Sequence, residues 1–138
     1  MSFLNPIIFV IALLLTACGS TKKELTDVER KAELYYSRGT QLLIEKHYTE
    51  ALDALSKAYD LTPNDSRILN NLGMAYYFKG KLVLAEQHLT KSLELDGKNS
   101  DARNNLASLY YTQGRLDEAK KNFQQIVEDL VYQHQYRN

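Results

Sequence analysis

An all-α solenoid of helical hairpins is the fold that three observations predict. The chain resembles itself at an offset of 34 residues, each half of that unit carries apolar residues at spacings of three and four, and only two Pro interrupt 138 residues. At this offset Asn70 falls on Asn104, Asn71 on Asn105, Leu72 on Leu106, Tyr76 on Tyr110 and Tyr77 on Tyr111. The match runs on through Gly80/Gly114, Leu82/Leu116 and Ala85/Ala119, and one step back sets Ala51 under Ala85 and Leu55 under Leu89 and Phe123. The repeats therefore span 32–65, 66–99 and 100–133, within a domain of residues 28–138. Lys+Arg and Asp+Glu balance at 17 each, so no net field argues for nucleic acid.

The chain begins with a different kind of segment. Residues 7–15 are an unbroken apolar run, shorter than the roughly 20 residues a helix needs to span a bilayer, and of the length of a signal-peptide core. Met1–Asn5 carries no Lys or Arg, a departure from the usual secretory n-region. Leu15-Thr16-Ala17-Cys18-Gly19 follows at once, and this resembles the lipobox of bacterial lipoproteins. The resemblance implies a signal peptide over 1–17, cleavage before Cys18, a diacylglycerol on its sulfur and an acyl group on its freed amine. No other cofactor is expected. Multiple acyl chains, at about 0.8 kcal/mol per buried methylene, anchor stably where one does not. Gly19 in place of Asp implies, by the same resemblance, the outer membrane, facing the periplasm. Residues 18–27 then read as the lipidated Cys and a short polar tether.

Each repeat reads as two amphipathic helices. Thr26 and Glu29 form a capping box for the first, Asn64-Asp65-Ser66 and Asn99-Ser100 supply later N-caps, and Pro63 stops the helix before it. Gly80 ends a helix by taking the left-handed conformation, and Leu82, Ala85 and Leu89 mark the face of the next. Small residues recur at Gly39/Gly73/Ala107 and Ala51/Ala85/Ala119, where backbones approach closely, with large residues around them. This pattern resembles the tetratricopeptide repeat family over residues 32–133. Arg38, Ser92 and Gly97 depart from it, standing where the family has Leu, Ala and Pro.

The resemblance implies a right-handed superhelix of about three repeats whose concave face is lined by the first helix of each. On it lie Tyr36, Thr40 and Leu43, then Asn70, Asn71, Met74 and Tyr77, then Asn104, Asn105, Ser108 and Tyr111. The Asn amides offer donor and acceptor to an extended peptide, or else satisfy the scaffold itself; Met74 and the tyrosines offer adaptable apolar surface. The family's clamp for chaperone C-terminal carboxylates needs cations where this chain has Tyr36, Thr40, Asp101 and Asn105, so that ligand is not expected.

A binding scaffold rather than an enzyme follows. No phosphate loop, nucleophile elbow or zinc-protease motif is present, His47 and His88 read as surface histidines in separate repeats, and neither they nor His134 has a second ligand at helical spacing. The partner is expected to be a protein or peptide, with no small-molecule substrate and no metal. Leu-Thr-Ala-Cys followed closely by tandem repeats resembles the type IV pilus biogenesis lipoproteins, pilotins that help an outer-membrane secretin assemble; an adaptor of peptidoglycan machinery is the alternative. The last helix, ending Ile126 to Tyr132, has no polar cap behind it. Its apolar face should meet a partner, a continuing array or another copy.

Overall fold

The computed structural model describes residues 25–136, with side chains to residue 131; the signal-like run, Cys18 and most of the tether lie outside the described residues. Six α-helices make up the described chain: α1 Asp27–Ile44, α2 Tyr48–Leu61, α3 Ser66–Phe78, α4 Leu82–Leu95, α5 Ser100–Thr112 and α6 Leu116–Tyr136. No strand occurs among the described residues. The capping box is present, with the Glu29 amide donating to Thr26 Oγ1 at 3.2 Å and the Thr26 amide to Glu29 Oε2 at 2.7 Å. Asp65 and Asn99 cap α3 and α5 by accepting from the amides of Arg67 and Ala102.

The helices pair into hairpins α1/α2, α3/α4 and α5/α6, joined by contacts of α2 with α3 and of α4 with α5. First helices also touch one another, α1 with α3 and α3 with α5. The backbones of the second helices stay apart among the described residues. Close first helices and separated second helices curve the stack, and set α1, α3 and α5 on its inner face.

Close approach inside each hairpin depends on glycine. A Cβ on Gly39 would lie 2.5 Å from Leu55 Cγ, and one on Gly73 would lie 2.6 Å from Leu89 Cγ. Leu55 and Leu89 fill those contacts and are wholly buried. The core is thereby divided between the junctions, with Leu55, Ala58, Ile68, Leu72 and Ala75 in one cluster and Ala85, Leu89, Leu106 and Leu109 in the next.

The turns repeat as well. Gly80 and Gly114 hold φ of +71 and +75, while Lys46, one repeat before Gly80, adopts φ +63 without being glycine. In all three turns the residue at positive φ donates its amide three residues back, and its successor donates five back. Ser92, a departure from the family pattern, is buried and satisfied: its hydroxyl donates to Ser66 O at 2.7 Å, from the first turn of α3.

Candidate functional site

The residues expected on the concave face do fall on the three neighbouring first helices, and side-chain hydrogen bonds connect many of them. Thr40 donates to Tyr36 O at 2.9 Å within α1 and accepts from Asn71 Nδ2 at 2.8 Å across to α3. Asn71 Oδ1 accepts from Asn70 Nδ2 at 3.1 Å, and Asn70 Oδ1 accepts from Asn105 Nδ2 on α5 at 2.8 Å. A continuous polar ladder thus crosses all three helices. Neutral amide bonds of this kind contribute about 1 kcal/mol each when formed and cost more when left unmade in a half-buried setting. The ladder fixes the lateral register of the helices, and it uses Asn70, Asn71 and Asn105 on the scaffold itself while leaving part of each amide's capacity open.

Other members stand differently. Asn104 is exposed and makes no side-chain hydrogen bond among the described residues. Ser108 donates back to Asn104 O at 2.9 Å along its own helix. Tyr36 and Leu43 are half-buried and pack on the first core cluster. Met74 is half-buried on the same face. Tyr77 packs on the second cluster with its hydroxyl 2.9 Å from Thr112 Oγ1, while Tyr111 is 67% exposed.

Electrostatics at the edge of this face centre on Arg67 and Arg115, two cations that the sequence reading did not single out. Arg67 pairs with Asp65 at 2.7 Å and with Glu33 at 2.9 Å, and its guanidinium lies 4.8 Å from the centre of the Tyr36 ring. The hydrogen bonds that its guanidinium donates to Asp65 and Glu33 raise the Arg67 pKa further. Partial burial pushes Asp65 upward, but its bonds with the Arg67 side chain and backbone outweigh that and hold it below the usual carboxylate range. Arg115 repeats the arrangement at the other junction, bonded to Glu118 and Glu86 and 4.2 Å from the centre of the Tyr110 ring. Both cations thus already face acidic partners, which lessens the positive charge they offer to a carboxylate ligand.

His88 corrects an expectation. It lies half-buried rather than on a solvent face, stacked on Tyr76 at 5.2 Å and edge-on to Tyr59 at 6.1 Å. Burial lowers its pKa. His47 is exposed at the turn between α1 and α2, as expected. Among the described residues no group of three or more His, Cys, Asp or Glu is placed to hold a metal, and no helix is long and apolar enough to cross a membrane.

Two family models match the chain, both described as tetratricopeptide repeat, over residues 25–98 and 79–137. Solved structures share the arrangement. The second repeat domain of Spaghetti (RPAP3), bound to the HSP90 peptide SRMEEVD, is 25% identical with a TM-score of 0.67, covering 72% of this chain and 92% of that one. MamA is 25% identical with a TM-score of 0.71, over 78% of this chain and 63% of its own. The Arabidopsis OM64 repeat domain, at 21% identity and a TM-score of 0.70, covers 72% of this chain and 83% of that one and shares the fold. No curated protein matches the chain in sequence.

Proposed function

The chain belongs to the tetratricopeptide repeat family, whose members are protein–protein interaction scaffolds, and from that premise we propose that its concave face docks a segment of another protein while Cys18 tethers the chain to the outer membrane. The observation that carries the docking reading is the polar ladder from Thr40 to Asn105, which registers the three first helices and leaves Met74 and Tyr77 on α3 and Tyr111 on α5 along the same face. Such a face suits a segment that offers apolar side chains and a few backbone hydrogen bonds.

A peptide-bound neighbour supports the mode of use but not the same ligand. The Spaghetti domain is seen with the acidic peptide SRMEEVD. Here Tyr36, Thr40, Asp101 and Asn105 occupy the places of that family's carboxylate clamp, and Arg67 is already paired with Asp65 and Glu33. These residues argue against an acidic segment as the one docked here.

The lipobox-like run at 15–18 lies close ahead of the first repeat, and this order supports a pilotin-like role, in which the tethered scaffold delivers or steadies an outer-membrane secretin during type IV pilus biogenesis. The test compares detergent-resistant secretin multimers in outer membranes of wild type, a deletion strain and a Cys18→Ala strain. The reading requires loss of multimers in the deletion and fewer or mislocalised multimers with Cys18→Ala. Unchanged multimers in both strains would end it and turn attention to cell-wall enzymes.

A further inference from the structure

We propose that two copies of this chain pair through α6, antiparallel about a two-fold axis passing near Gln124 and Gln125. The repeat itself measures what is uncovered there. Leu55 and Leu89 are each 0% exposed because the following hairpin covers them, whereas Phe123, at the same place in repeat three, is 39% exposed. Val127 follows Tyr59 and Leu93 in register, both of them half-buried, and is 58% exposed. With Leu116 and Leu130 these residues form a stripe at spacings of seven, four and three, of which Leu116, Phe123 and Val127 border an open groove of about 650 Å³. The helix carrying it has 21 residues against 14 in α2 and α4, so the stripe continues past the end of its own hairpin.

Charge selects the occupant. Lys120 and Glu128 flank the stripe on the groove edge, and Lys121 and Asp129 repeat the same order, with none of the four in an ion pair among the described residues. An antiparallel pair of α6 helices sets Lys120 of one copy beside Glu128 of the other, and the reverse, so the face complements itself under a two-fold axis. A parallel pair would set lysine on lysine. Head-to-tail stacking is opposed by α1, where exposed Arg38 stands at the place that repeats two and three fill with buried Leu72 and Leu106. Seating α6 there would bury a guanidinium that makes no ion pair among the described residues. A closed dimer, not a filament, is the assembly that these residues support.

The experiment is sedimentation of the full chain in mild detergent, with Val127→Asp, Glu128→Lys and the double swap Lys120→Glu/Glu128→Lys, each checked for helix content. A dimer is expected for the parent chain. Val127→Asp should weaken it by about 100-fold or more, since a buried unpaired charge costs about 3 kcal/mol. Glu128→Lys should weaken it by about three- to tenfold, as a rim ion pair does, and the double swap should restore it. A monomeric parent chain, open-ended growth, a dimer indifferent to Val127→Asp, or a double swap no better than Glu128→Lys would each overturn the proposal.

Discussion

Replacing Gly73 by Ala tests the close packing on which the stack depends. In an open helix this change stabilises by about 1 kcal/mol, because Gly has the poorer helix propensity. Here the added Cβ would sit 2.6 Å from Leu89 Cγ, 2.9 Å from its Cδ2 and 3.2 Å from Ala85 O. Unstrained carbon contacts lie near 3.5–4.0 Å, so Leu89 must retreat by about 1 Å. It has nowhere to go, being wholly buried among Ala85, Leu106 and Leu109. An overlap of this size falls in the upper part of the roughly 1–3 kcal/mol range for overpacking, about 2–3 kcal/mol, which outweighs the propensity gain and leaves Gly73→Ala less stable by about 1–2 kcal/mol. Urea unfolding followed by far-UV circular dichroism measures the difference. Gly97→Ala is the control, because its Cβ would meet nothing nearer than Leu93 O at 3.7 Å and should be neutral. A double-mutant cycle sharpens the result: in a Leu89→Ala background the penalty at Gly73 should vanish. A Gly73→Ala chain as stable as the parent, or a penalty that persists without Leu89, would refute the steric reasoning.

Three further outcomes follow from the structure. His88 has its folded pKa lowered by burial, so the unfolded chain takes up its proton first. Stability should be full above 6.5, the ordinary imidazole value, and fall as pH drops through it; His88→Phe should flatten that decline in pH-dependent unfolding. Lys46→Gly relieves a left-handed φ at the place where repeats two and three already carry Gly, and should raise stability by about 0.5–1 kcal/mol in the same denaturation assay. Ser92→Ala removes the buried hydroxyl that donates to Ser66 O and should lower stability by about 0.5–1.5 kcal/mol, against the usual preference for Ala in helices.

The repeat and its punctuation were legible because they are local. Thr26 with Glu29 makes the capping box read from the sequence, and Gly80 takes the positive φ assigned to it. His88 was misplaced because a solenoid helix has neighbours on more than one side. The face marked by Leu82, Ala85 and Leu89 meets the helix's own hairpin and the following one, and His88 lies beside it, reaching Tyr59 of the preceding repeat. A single-face amphipathic pattern does not report that second contact.

The lateral network was partly encoded in the period. Glu33 and Arg67 are 34 residues apart, and Asn70–Asn105 and Tyr77–Thr112 are 35 apart, so residues one repeat distant become neighbours across the first helices. Opposite charges at that separation could have flagged the Arg67 cluster. Whether the asparagines faced a ligand or one another could not be read the same way, because an Asn side chain serves either role equally well. In the folded chain much of that hydrogen-bonding capacity goes to the ladder between the first helices.

The most direct test of the docking reading is site-specific photo-crosslinking in intact envelopes. A photoreactive residue would replace Met74 or Tyr111 on the concave face, and Val83, which is exposed on α4, as the control. The account predicts one discrete adduct from both concave positions, abolished by Tyr77→Asp, and none from Val83. An adduct from Val83 with nothing at Met74 or Tyr111 would place recognition on the second helices and contradict it.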